Sequence, residues 1–182
     1  MNSQQGRAVI LTLIDALWGN DSWCGETHIQ KAAYFLQELT NVPMEFDFIL
    51  YKHGPFSFDL RDELTSMRAD GLLKIKATYP YGHRMYIADE GNSFRKRFPK
   101  TLEKHKKEIA YIAETLGPKN VVELERIATA LLITKTEKKE NVEERALRLN
   151  ELKPHIPVDI AKNAIRSVDK IYAQANDQGL IV

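Results

Sequence analysis

The sequence predicts an α+β fold, mostly α: a winged-helix-like N-terminal domain over residues 1–98 and a helical extension over 99–182. Three observations predict it. Apolar residues recur at helical spacing through most of the chain. Short runs near 45–52, 72–77 and 84–88 switch to strand character. Up to residue 88 the order is helix, helix, strand, helix, strand, turn, strand, the order of a three-helix core carrying a β-hairpin wing.

The first helix is predicted over 5–18, where Val9, Ile10, Leu13, Ile14 and Leu17 share a face before the turn formers Gly19, Asn20 and Asp21. The second runs over 26–39 on Ile29, Ala32, Ala33, Leu36 and Leu39, with Gln30 and Lys31 expected on its exposed side. Pro43 closes the segment after it, because the residue before a proline is denied helical conformation. Over 45–52, Phe46, Phe48 and Leu50 alternate with Asp47, Ile49 and Tyr51, a strand that Gly54-Pro55 is expected to stop. Ser57 or Asp59 can cap a third helix with the stripe Leu60, Leu64 and Met67, ended by Asp70-Gly71. Tyr79-Pro80-Tyr81-Gly82 fits a type I turn between the wing strands.

Beyond the wing, Asp89 is expected to cap a short helix that Pro99 breaks. Leu102, Ile109, Ile112 and Leu116 form a narrow stripe, with His105 filling one position, that ends at Gly117-Pro118. Helices follow over 121–134, 142–152 and 157–175. The last has the strongest stripe (Ala161, Ala164, Ile165, Val168, Ile171, Tyr172, Ala175), with Pro157 at its first turn. Residues 135–144 form a charged connector.

Composition narrows the function. The chain is 43% hydrophobic and 28% charged, enough apolar surface for a packed core. Its 26 Lys and Arg against 25 acidic residues give no general attraction for nucleic acid. A single cysteine, Cys24, excludes an intrachain disulfide and a cysteine-rich zinc site. Residues 1–7 are polar and no run approaches the roughly 20 apolar residues of a membrane span, so a cytoplasmic location is expected.

Two stretches carry a resemblance. His28-Ile29-Gln30-Lys31-Ala32-Ala33-Tyr34-Phe35-Leu36 resembles the "LQKLLYF" helix of SocA-like antitoxin (Panacea) proteins. Phe46 to Ser57, with Tyr51-Lys52-His53-Gly54-Pro55, is similar to their strand ending in "YGP". Leu60, Leu64 and Gly71-Leu72-Leu73 look like the helix and "GLI" step that follow. The resemblance implies adaptor or antitoxin work, holding a toxin or another protein, with no catalytic residue. Ala32-Ala33, where bulkier aliphatics are usual, and His53 depart from the pattern.

No Walker sequence, GxGxxG, HExxH or GxSxG occurs, so no enzyme activity, catalytic residue, cofactor or metal is expected. Cys24 and His28 are a candidate nucleophile pair without an orienting third group. His53 and His83 are a candidate metal pair without a matched carboxylate, and Asp59, Asp62 and Glu63 form a carboxylate cluster at a helix start, where the macrodipole already favours them.

The expected function is therefore binding of another protein, such as a toxin, by the wing domain, the extension or the groove between them. Contact candidates are Tyr51, Lys52, His53 and Phe56, although Phe56 and Phe58 are expected to lean inward on either side of the third helix start. The alternative is a DNA-binding regulator using Lys74, Lys76, Arg84, Arg95, Arg97, Lys100, Lys104 and Lys107. Residues 95–107 hold seven Lys or Arg against Glu103, whereas the third helix sets Asp59, Asp62, Glu63 and Asp70 against Arg61 and Arg68. That net negative charge would be repelled by phosphates. Self-association through the 102–116 stripe is open.

Overall fold

The computed structural model describes residues 1–79, 82–137 and 141–181. They form nine helices and two antiparallel two-stranded sheets, an α+β chain that is mostly α. Helix α1 (Ser3–Gly19) starts at Asn2, whose side chain accepts from the Gln5 amide while Gln5 accepts from the Asn2 amide. This capping box satisfies two amides that a helix start leaves open. The predicted stripe from Val9 to Leu17 is buried, and α2 (Glu26–Glu38) buries Ile29, Ala32, Ala33 and Leu36 beside it.

The first strand differs from expectation. Strand pairing is confined to β1 (Ile49–Tyr51), because the Phe46 amide and carbonyl are both bonded to the Gln37 side chain at 2.9 Å. Gly54-Pro55 does not stop a strand but opens β2 (Gly54–Phe56), with Ile49 opposite Phe56 and Tyr51 opposite Gly54. Gly54 makes this return possible at φ +84°, a left-handed conformation. The first strand therefore pairs within its own hairpin instead of joining the wing.

Ser57 caps α3 (Phe58–Ala69) by accepting from the Leu60 amide, and α3 buries Leu60, Leu64 and Met67. The wing is the ladder of β3 (Leu73–Thr78) and β4 (Gly82–Ile87), with Leu73 opposite Ile87 and Thr78 opposite Gly82. The expected type I turn falls on Pro80 and Tyr81, outside the described residues.

Helix α4 (Asp89–Arg95) has Ala88 and not Asp89 at its cap position, and Asp89 lies in its first turn. Pro99 opens α5 (Pro99–Lys104) from its first position, where a missing amide costs nothing. The chain breaks at His105 before α6 (Lys106–Leu116), so the 102–116 stripe is divided between two helices. Then come α7 (Val121–Thr136), capped by a box of Asn120 and Glu123, α8 (Val142–Leu152) and α9 (Val158–Asp177). The middle of the charged connector, 138–140, lies outside the described residues.

One hydrophobic cluster runs across residue 98: Ile109, Ile112 and Leu131 belong to it with Leu13 and Phe35. Helix α6 packs on α1 and α2, α7 on α2 and β2, and α9 on α7 and α8. Helix α7 thus lies beneath the β1–β2 hairpin. Among the described residues, no helix is long and apolar enough to cross a membrane.

Candidate functional site

The β1–β2 hairpin is held from below by polar side chains that were expected to face solvent. Gln30 is 0% and Lys31 1% exposed. The reason is that the hairpin covers this face of α2. Gln30 donates to the Ser57 carbonyl and accepts from the Ser57 amide, both at 2.9 Å, while Lys31 Nζ donates to the Pro55 carbonyl at 2.8 Å. Burial pushes the Lys31 ammonium down to about 8, against the pull of Glu125 and with the help of Lys153.

Glu125, on the buried side of α7, is the counter-charge. Lys153 Nζ stands 3.5 Å from its Oε1, and His155 Nε2 3.3 Å; His53 Nδ1 stands 3.7 Å from Oε2. Lys153 also donates to the Tyr51 and Lys52 carbonyls at 2.7 and 2.6 Å, so a residue just beyond α8 grips the turn of a hairpin a hundred residues earlier. The two lysines thus reach three backbone carbonyls of the hairpin, those of Tyr51, Lys52 and Pro55. A Cβ on Gly54 would lie 3.0 Å from Thr129 Oγ1 and 3.3 Å from the Glu125 carbonyl, so the turn also sits close on α7.

The outer face of the hairpin is aromatic. Tyr51, Phe56 and Phe58 form a triangle with ring centroids 5.6, 5.5 and 5.2 Å apart, and the Arg61 guanidinium lies 4.9 Å from the Phe58 centroid. Tyr51 is 52%, Ile49 45% and Phe58 39% exposed. The inward packing expected of Phe58 is therefore corrected: it sits at the first position of α3 and turns outward onto its two aromatic neighbours. Phe56 is half-buried in the same cluster, and Lys52 and His53 form the exposed turn beside it. The four contact candidates of the sequence thus lie on one hairpin. Lys31, Glu125, Lys153 and His155 were missed. Lys31 interrupting an apolar helix run and Glu125 inside a buried stripe were the only signals.

The other candidates are dispersed. Cys24 is fully buried, its Sγ 3.8 Å from the Ile14 carbonyl, and burial pushes the thiol up to about 12, which keeps it protonated and unreactive. His53 faces Glu125, whereas His83 lies on β4 with its carbonyl against Gly25. Asp62 pairs with Arg61 and Glu63 with Arg7. Among the described residues no three His, Cys, Asp or Glu side chains converge as metal ligands.

Of the eight basic residues that are the nucleic-acid candidates, Arg84, Arg95 and Arg97 are engaged within the chain. Arg84 lies 3.9 Å from the Trp18 ring and 4.8 Å from the Trp23 ring, and donates to the Trp23 and Ser22 carbonyls. Arg95 pairs with Asp15 at 2.7 Å, and Arg97 lies over Phe94 and Phe98. Lys74 and Lys76 are exposed on β3, while Lys100, Lys104 and Lys107 are exposed across the break between α5 and α6. No protein-family model matches the chain, and no curated protein matches it.

Proposed function

We propose that this chain is a non-catalytic, antitoxin-like adaptor that docks another protein on the aromatic face of the β1–β2 hairpin. The observation that carries the reading is the triangle of Tyr51, Phe56 and Phe58, partly exposed and already packed ring on ring. Large aromatic and arginine side chains supply most of the free energy at protein interfaces, and Arg61 stands beside the rings. The hairpin is held by Lys31, Lys153 and Gln30, which lowers the ordering cost of binding. The likeness of residues 28–36 and 46–57 to SocA-like antitoxins points the same way.

Affinity capture from native extract tests the reading. The wild type should retain a defined partner that Tyr51→Ala and Phe58→Ala lose, each at a cost of about 2 kcal/mol, roughly thirtyfold in Kd. Both side chains are partly exposed, so thermal stability should hardly change. Unchanged capture by the double variant would remove the hairpin from the interface. A tight, steeply salt-dependent complex with a specific duplex, lost when Lys104, Lys106 and Lys107 become Glu, would favour the DNA-binding regulator instead.

A further inference from the structure

The two edges of the β1–β2 hairpin are closed unevenly. Pro55 has no amide to donate, so Leu50 and Pro55 are the facing pair that exchanges no hydrogen bonds, and the backbone groups of both point outward. On the β2 side the outward groups are taken: the Pro55 carbonyl accepts from Lys31, and the Ser57 amide and carbonyl are bonded to Gln30. On the β1 side a two-residue period extends beyond the paired strand. Asp47, Ile49 and Tyr51 are exposed, and Phe46, Phe48 and Leu50 are half-buried. The backbone groups of Phe46, Phe48 and Leu50 therefore share the outer edge.

That edge is capped at both ends and open between them. Gln37 lays its side-chain amide against Phe46, accepting from the backbone amide and donating to the carbonyl, as a neighbouring strand would. At the other end Lys153 takes the Lys52 carbonyl. Among the described residues, the amides and carbonyls of Phe48 and Leu50 have no partner on this edge. Backbone groups taken out of water are paired, so these face solvent. Helices α2 and α7 pack on β2, which leaves β1 as the outer strand. An unpaired edge of this kind is a template for one more strand.

We infer that the partner enters as an extended segment that adds a strand to β1, exchanging backbone hydrogen bonds with Phe48 and Leu50. The inference rests on the adaptor reading of the hairpin and names the form in which the partner binds. Backbone pairing sets the register, and the exposed side chains of Ile49 and Tyr51 favour β-branched or aromatic residues at alternate positions of the segment. A helical segment could cover the rings of Tyr51, Phe56 and Phe58, but its amides are spent within the helix and leave Phe48 and Leu50 unanswered.

Amide exchange measured by NMR on the full chain tests it with a synthetic peptide of about eight residues, valine alternating with threonine between terminal lysines. A helix-forming peptide of alanine, leucine and lysine, equal in length, is the comparator. At up to about 1 mM the strand peptide should slow exchange of the Phe48 and Leu50 amides about tenfold, and the helical peptide should not. Leu50→Pro removes one edge donor and leaves the β1–β2 ladder intact, so a fluorescein-labelled strand peptide should bind it about tenfold more weakly. Unchanged exchange, equal protection by both peptides, or full affinity for Leu50→Pro overturns the inference. Should that variant fail to fold by circular dichroism, the exchange result on the wild type decides. A protein captured through Tyr51 and Phe58 that leaves Leu50 exchange unslowed keeps the adaptor reading and overturns only the added strand. Capture independent of Tyr51 and Phe58 overturns both.

Discussion

Glu125→Gln is the substitution that asks most of the ion cluster under the hairpin. Glu125 is 7% exposed, and the variant leaves Lys31 and Lys153, both 7% exposed or less, without their nearest carboxylate. At the 3.5 Å separation from Lys153, an effective dielectric of about 20 gives an attraction of about 5 kcal/mol. Part of that survives, because Lys153 keeps two carbonyl partners and a glutamine can still accept a hydrogen bond. Breaking a buried pair from one side costs about 3–5 kcal/mol, so about 3 kcal/mol is expected here. For a chain of this size that is a Tm lower by about 6–12 °C.

Urea denaturation followed by circular dichroism measures the loss, and hydrogen exchange locates it. Amides of β1 and β2 should lose protection before those of α1 and α9. The double variant Glu125→Gln/Lys153→Met removes both charges and should recover part of the stability, because the penalty of the single variant is an uncompensated ammonium. A single-variant loss under about 1 kcal/mol, or a double variant showing simple addition of the two losses, would refute the idea that this carboxylate anchors the turn.

The same clamp makes stability depend on pH through Lys31. Its folded pKa, about 8, lies below the ordinary lysine value of 10.5, so the unfolded chain binds the proton more tightly. The resulting destabilisation is full below about pH 8 and fades as pH rises toward 10.5. Relative to Lys31→Met, wild type should gain up to about 3 kcal/mol across that window in paired urea melts, and a flat difference curve would contradict it. Gly54→Ala must hold φ +84° and meet Thr129 Oγ1 at 3.0 Å, so a loss of about 2 kcal/mol is expected by thermal melting; a neutral result would show that the turn relaxes. Arg84→Ala removes two ring contacts and two carbonyl hydrogen bonds between the wing and the loop after α1. It should cost about 2 kcal/mol and shift the emission of Trp18 and Trp23; unchanged fluorescence would disprove the stacking.

What the sequence made legible follows the range of the forces involved. Helix α9 was readable because its burial repeats every three or four residues, and observed Val158–Asp177 differs from the expected 157–175 only at the ends, where assignment is least sharp. The single long stripe at 102–116 misled because Pro99 can open a helix as readily as break one, and because His105, read as a stripe position, is where α5 ends. The β1–β2 hairpin was hidden for a different reason. Three-residue strands have no period to detect, and this pair is held because Gln30, Lys31 and Gln37 of α2 and Lys153 beyond α8 bond the backbone of the hairpin and its flanks from two other parts of the chain.

Charge was the least legible quantity, and the candidate site depends on it. Taken alone, Lys31 belongs on a solvated face; only with Pro55 above it and Glu125 on the neighbouring helix does burial become tolerable. The same cluster accounts for the misplacement of Phe58. With polar groups filling the space beneath the hairpin, the ring at the start of α3 packs against Tyr51 and Phe56 on the outside. Buried lysines and exposed aromatics are thus two sides of one arrangement: carbonyls drawn down by ammonium groups hold the turn, and the apolar rings displaced from below become a pre-formed surface. A surface already ordered loses less entropy on docking than a mobile loop would, so under the proposed adaptor role the lysine clamp would bear on binding as well as on stability.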